Sequence, residues 1–149
     1  MNYGEVVDFV KNILKVNPEM MYYGSLLGAG VTVAVGGFDK ALNMLATLIA
    51  LDYLTGLTAA VKTKTQSSKV GFKGLIKKLV IFAFVAFANT LDGAMQLNHL
   101  LRSMVIFGYA ANEGLSILEN IERMGYGNHI PEFLRTKINQ LKKDKGVDG

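Results

Sequence analysis

The stretch that most constrains this chain runs from Leu42 to Val61, where Asp52 is the only charged residue. Twenty such residues, rising ~1.5 Å each, reach across a bilayer hydrocarbon core of ~30 Å. Directly after it come Lys62, Lys64, Lys69, Lys73, Lys77 and Lys78, with no acidic residue among them. An apolar span that ends in an all-positive connector reads as a membrane helix with its cytoplasmic flank marked. The rest of the chain is organised around that pair, and the expectation is an all-α, polytopic membrane protein.

Further apolar segments flank this one. Residues 20–38 form a span with Tyr22 and Tyr23 as interfacial anchors, and Gly24 and Gly28 make a G-x-x-x-G pair that lets helix backbones approach closely. A mixed-charge segment precedes this run and a second span follows at once, which argues against a cleaved signal peptide. Asp39 is the expected N-cap for the 42–61 span, in which Ala46 and Ala50 offer a second small-residue face. A third span covers 75–91 if Lys77 and Lys78 reach back to the interface. The fourth, 102–118, is half polar: Asn112, Ser116 and Asn120 recur at four-residue steps beside Glu113. Its polarity suits either a lumen-lining span or an interfacial helix, and crossing is the reading adopted.

Before the spans, residues 1–18 read as an amphipathic helix, with Val6, Val7, Val10, Ile13 and Leu14 on one side, stopped at Asn17-Pro18. It either lies on the membrane surface or packs on neighbouring subunits. Residues 19–120 then make up the membrane domain, with a basic loop at 62–74. Residues 121–149 form a basic tail, in which a short amphipathic helix opens at Pro131 and carries Phe133, Leu134, Ile138 and Leu141 on one face. Basic residues cluster in the lysine loop and the tail, whereas the other connectors offer Lys40 and Arg102. Four spans place both clusters and both termini in the cytoplasm; three spans, the alternative, leave one cluster outside.

A carboxylate at mid-bilayer costs ~2.5–3.5 kcal/mol on insertion scales, so Asp52 is expected to face protein or water. It either ties helices together through hydrogen bonds or belongs to a water-filled pathway. Thr55, Asn112, Glu113 and Ser116 are the candidate neighbours, as no basic residue is expected at that depth. Several function classes find no support. The chain has no cysteine, and its two histidines, His99 and His129, lack metal-ligand spacing. No phosphate-binding glycine loop, nucleophile elbow or carboxylate pair with an acid–base partner occurs. Neither an enzyme nor a cofactor or nucleic-acid binder is expected, because the net charge of +4 sits mostly in one membrane-flanking loop.

Together, LDYLTGLTAAVKTKTQSSKVGFKGLIKKL, NTLD, NEGLSILEN and IPEFL resemble the phage-lysis and toxin-secretion holin family, which includes the clostridial toxin-export holin. The matching positions are Asp52, Gly56, Ser67, Ser68, Gly71, Asp92, Glu113, Ser116, Asn120 and Pro131. The resemblance spans about Ala41 to Leu141. It implies a protein of the bacterial cytoplasmic membrane that associates with itself and permeabilises the bilayer, releasing an endolysin or a toxin, with no catalytic residue. An antiholin-type regulator, or a small channel or scaffold unrelated to lysis, is the alternative.

Overall fold

A computed structural model describes residues 4–5, 17–65 and 67–144; the amphipathic helix expected before Asn17 lies almost wholly outside them. Among the described residues the chain is all-helical. Five α-helices follow in order: α1 (Pro18–Ala34), α2 (Lys40–Lys62), α3 (Ser68–Met95), α4 (Leu100–Arg123) and α5 (Glu132–Asp144), with a 3-10 turn at Gly127–His129 before the last.

Local chemistry sets each boundary. Asn17 and Pro18, read above as a stop, also start α1: the Asn17 side chain accepts from Glu19 N–H at 3.1 Å, and Pro18 occupies the first turn, where its missing N–H costs nothing. The helix ends earlier than the expected 38 because Gly36 and Gly37 take φ of +79° and +90°. A Cβ on Gly36 would run into the Asn89 side chain, so this position requires glycine on two counts. Asp39 is the N-cap of α2, accepting from Leu42 N–H at 2.8 Å.

The basic loop expected at 62–74 is shorter in the structure, since α3 begins at Ser68 and takes up Lys69, Lys73, Lys77 and Lys78. Lysine is a good helix former, and nothing in that stretch breaks a helix. At its other end the turn 96–99 carries Gln96, Asn98 and His99 in left-handed geometry. Asp92 spans this turn, its carboxylate accepting from Leu101 and Arg102 N–H at 2.9 and 2.8 Å and so capping α4.

Consecutive helices from α2 to α4 run back and forth, and α4 packs most extensively on α2 and less on α3. The core between them is thin: Leu42, Leu45, Ile49, Ile81, Val85, Ile106 and Ala110, closed at one end by Val35. Most of the apolar surface points outward, including Leu54, Leu57, Leu79, Phe87 and Phe107. That distribution is inverted relative to a water-soluble bundle and matches a lipid solvent.

Two helices are long and apolar enough to cross a membrane, Lys40–Lys62 and Gly71–Met95. The expected count of four is not reached on this criterion. The 17 residues of α1 span ~25 Å, short of the hydrocarbon core. Helix α4 is long enough but carries Arg102, Glu113, Glu119, Glu122 and Arg123.

Candidate functional site: a buried ionic seam

Each of the three packed helices turns one face inward, and each inward face carries ionisable groups in an otherwise apolar row. On α2 the row is Leu42, Leu45, Ile49, Asp52 and Ala59. On α3, Lys78 shares a face with Ile81, Val85, Ala88 and Asp92, and on α4 the row is Arg102, Ile106, Ala110, Glu113 and Asn120. Steps of three and four residues keep such positions on one side of a helix. The charges are therefore brought together by the pattern that builds the core.

Lys78 stands between two carboxylates. Its ammonium donates to Asp52 Oδ2 and to Glu113 Oε2, and the three side chains are 13%, 11% and 9% exposed. Asn120 completes the group by donating from Nδ2 to Asp52 Oδ1 at 3.1 Å and to Thr55 Oγ1 at 3.2 Å. Its amide lies against Gly56, where an added Cβ would stand 3.4 Å away. Lys78 thus links all three helices, and the buried side-chain polar atoms of the described residues all have partners. Full satisfaction is what makes such a cluster tolerable in an apolar interior, because an unpaired buried ion costs several kcal/mol.

The sequence reading had Lys78 reach to the interface and expected no base near Asp52; the structure overturns the second, for Lys78 is that base. Because α3 starts at Ser68, Lys78 lies about three turns inside the helix, roughly 10–15 Å from the lysine-bearing end of the bundle. Its place in the Ile81–Val85–Ala88 row carries the signal in the sequence. The Lys77–Lys78 doublet hides it, since Lys77 is exposed and does flank the bundle.

A second polar locus, absent from the sequence reading, closes the opposite end. Arg102 is 2% exposed. It donates from Nε to Val35 C=O at 2.6 Å, from one terminal nitrogen to Asp39 Oδ2 at 2.7 Å and from the other to Gly37 C=O at 3.0 Å. Asn89 adds a bond to Ala34 C=O at 3.1 Å. The guanidinium fork fits the carbonyls left free at the end of α1, and no lysine could reach them all. The hydrogen bond from Arg102, helped by Leu42 N–H, holds the Asp39 carboxyl below its ordinary range. Near the lysine end, Lys62 donates to Met124 C=O and sits over the Tyr126 ring, 4.4 Å from its centroid.

The remaining candidates separate. Gly24 and Gly28 lie on an exposed face of α1, and no other described residue comes within 4 Å of a Cβ built on either. Ala46 is half-buried and Ala50 exposed. Thr55 meets Asn120, Ser116 is half-buried, and Asn112 points outward. Each four-residue step along α4 advances ~40° around its axis, which carries Asn112 to the outside and Asn120 to the seam. Among the basic residues, Lys62, Lys64, Lys73 and Lys77 are exposed, and Lys69 occupies the first turn of α3. No group of three or more potential metal ligands occurs among the described residues.

An outward-apolar helical bundle held by a buried charge cluster defines a membrane protein, and comparison with known proteins gives its family. A model of the bacteriophage holin family matches residues 29–143, and the chain belongs to that family. A probable holin of Bacillus phage phi105 is 33% identical over 108 residues, covering 72% of this chain and 78% of the phage protein. An uncharacterized protein of Listeria monocytogenes is 37% identical over 132 residues, covering 87% and 93% of the two chains. The YqxH protein of Bacillus subtilis is 35% identical over 109 residues, covering 73% and 76%. No solved structure matches the chain. Holins permeabilise membranes and are not enzymes.

Proposed function

We propose that this chain self-associates in the bacterial cytoplasmic membrane and opens it, releasing an endolysin or a toxin that has no export route of its own. The observation that carries this reading is the Asp52–Lys78–Glu113 cluster. It lies within the two helices long enough to span and the helix packed between them. In a single subunit these groups satisfy one another, and the outside is apolar. When subunits gather, the same groups can face water instead, because a filled lumen removes the desolvation penalty that forces them together. Assembly driven by subunit–subunit contacts depends steeply on concentration, which suits a timed lesion.

We further propose four crossings with both ends cytoplasmic. Three features support it. The end of α1, the start of α2 and the start of α4 meet at Arg102; the end of α2 and the end of α4 meet at Lys62 and Met124; and the exposed Lys62, Lys64, Lys73 and Lys77 lie at this second end, against Lys40 at the first. The charges that lower the mean hydropathy of α4 are in part internal, since Arg102 and Glu113 are both buried. Expression of the chain alone in a bacterium tests the function: dye entry and loss of the membrane potential are expected, and harmless accumulation would contradict the proposal. A cysteine replacing Ser68 tests the topology, because labelling by an impermeant reagent from outside intact cells would reverse the orientation.

A further inference from the structure

Asn112 stands out on the surface of α4. Glu113 beside it is tied to Lys78 of α3, so Asn112 lies at the level of a group embedded in a candidate membrane span. One residue turns ~100° around a helix, which points Asn112 away from the seam. It is exposed, and among the described residues its amide has no hydrogen-bond partner. On its face of α4 the preceding turns present Val105, half-buried, and Gly108, exposed, neither of them polar, while the half-buried Ser116 and Glu119 follow towards the lysine-bearing end. One turn earlier, Gly108 is exposed with nothing within 4 Å of a built Cβ.

An amide in hydrocarbon cannot be satisfied by lipid, and this one has no partner among the described residues of its own subunit. We propose that the Asn112 face of α4 is the contact between two copies of this chain. The inference rests on the self-association proposed above and names the surface that carries it. A second copy fits for three reasons. Copies inserted in the same sense present Asn112 at the same depth. A carboxamide both donates and accepts, so two of them related by a two-fold axis along the membrane normal can form a reciprocal pair. Gly108, lacking a side chain, lets the backbones close to the distance that pair needs. Asn112 is thus a buried position of the assembly that is exposed in the subunit.

The absence of cysteine from the chain makes the test direct. Asn112→Cys and Gly108→Cys, each in the full chain in bacterial membranes, are oxidised with a copper catalyst. Leu57→Cys on α2 and Phe87→Cys on α3, at exposed apolar positions, serve as controls. Disulfide dimers at 108 and 112 are expected at least tenfold faster than at the controls. Asn112→Leu should weaken the dimer on the order of tenfold, the size of one interhelical hydrogen bond between membrane helices, and Asn112→Gln should restore most of it. If chemical crosslinking shows intact oligomers while 108 and 112 oxidise no faster than the controls, this face is overturned and the self-association stands. The face is equally overturned if Asn112→Cys reacts with an impermeant maleimide in the oligomer, which would make it a lumen residue. If wild-type chains give no oligomer at all, both proposals fall together.

Discussion

Replacing Lys78 by methionine is the most demanding perturbation of this structure. The methionine stem has similar length and fits the same path, so little volume is lost and the change is essentially the charge. At an effective dielectric constant of ~20, each ammonium–carboxylate contact at ~3 Å is worth ~5–6 kcal/mol of gross attraction. Desolvation opposes it by several kcal/mol per ion, which leaves the intact cluster close to neutral for stability. Removing the cation alone is a different matter, as two carboxyl groups then share a dry pocket. Breaking a buried pair in this way costs ~3–5 kcal/mol. Lys78→Met should therefore lower the unfolding midpoint in detergent sharply and release α3, which packs on α4 less extensively than α2 does. Converting Asp52, Lys78 and Glu113 together to leucine should restore stability to the wild-type level or above, because well-packed apolar replacements of buried ion clusters are commonly neutral or stabilising by ~1–4 kcal/mol. That triple variant should insert and fold, yet fail to lyse, since the charged groups that would line a water-filled opening are gone and Thr55 and Asn120 alone remain in the seam. The assay is onset of lysis at matched membrane levels, paired with thermal unfolding of the purified chains. Lysis by the triple-leucine variant on the wild-type schedule would refute a functional role for the seam. Unchanged stability of Lys78→Met would refute the energetic argument.

Further expectations follow from the same contacts. Asp52→Asn keeps the hydrogen bonds to Asn120 and should leave insertion intact while shifting lysis onset, whereas Asp52→Leu should disturb assembly; wild-type timing for both would remove Asp52 from gating. Arg102→Lys keeps the charge but loses the fork, and should free the end of α1, read as faster proteolysis near Gly36 and Gly37; an unchanged cleavage pattern would contradict this. Gly36→Ala should cost at least ~1–2 kcal/mol from the left-handed backbone, with the Asn89 collision added to it, and Gly37→Ala only the backbone part; comparing the two unfolding midpoints measures the difference. The Asp39 carboxyl, lowered from 3.8 by its bond to Arg102, contributes stability that is present above that value and lost as pH falls through its folded value. A loss of stability confined to acid below about pH 4 is expected, and Asp39→Asn should flatten it.

Sequence periodicity carried the helices well, because apolar spacing and caps act locally. Asp39 and Leu42 are neighbours in the chain, and that cap was read without a fold, whereas Asn17, read as a stop, is also the cap of α1. Glu113 and Asp52 also emerged from sequence, as charges too costly to leave towards lipid. What escaped was pairing across the bundle. Asp52 and Lys78 are 26 residues apart, and Asp39 and Arg102 are 63 apart, so their contact depends on how α3 and α4 are rotated. The lysines compounded the difficulty. As a flexible cation, lysine has the same signature when it flanks a membrane as when it is drawn into one, and only the phase of Lys78 with Ile81 and Val85 separates the two. The same phase drift divided Asn112 from Asn120, which a ladder of four-residue steps had grouped together.

The distribution of ties also says which parts of the subunit act as a unit. Helices α2, α3 and α4 are joined at the Lys78 cluster, and α2 and α4 again at Arg102 and at Lys62. These connections sit at separate depths, so a rotation that relieves one strains another. Helix α1 has no such distribution. It is held at its C-terminal end by bonds from Asn89 and Arg102, and none of its residues is buried. Its row of Tyr23, Leu26, Leu27, Gly30 and Val31 is uncovered among the described residues. The three-helix part is consequently the body in which the charge seam is preserved. Any opening of the seam to water must break bonds within that body, whereas α1 can change neighbours without disturbing it.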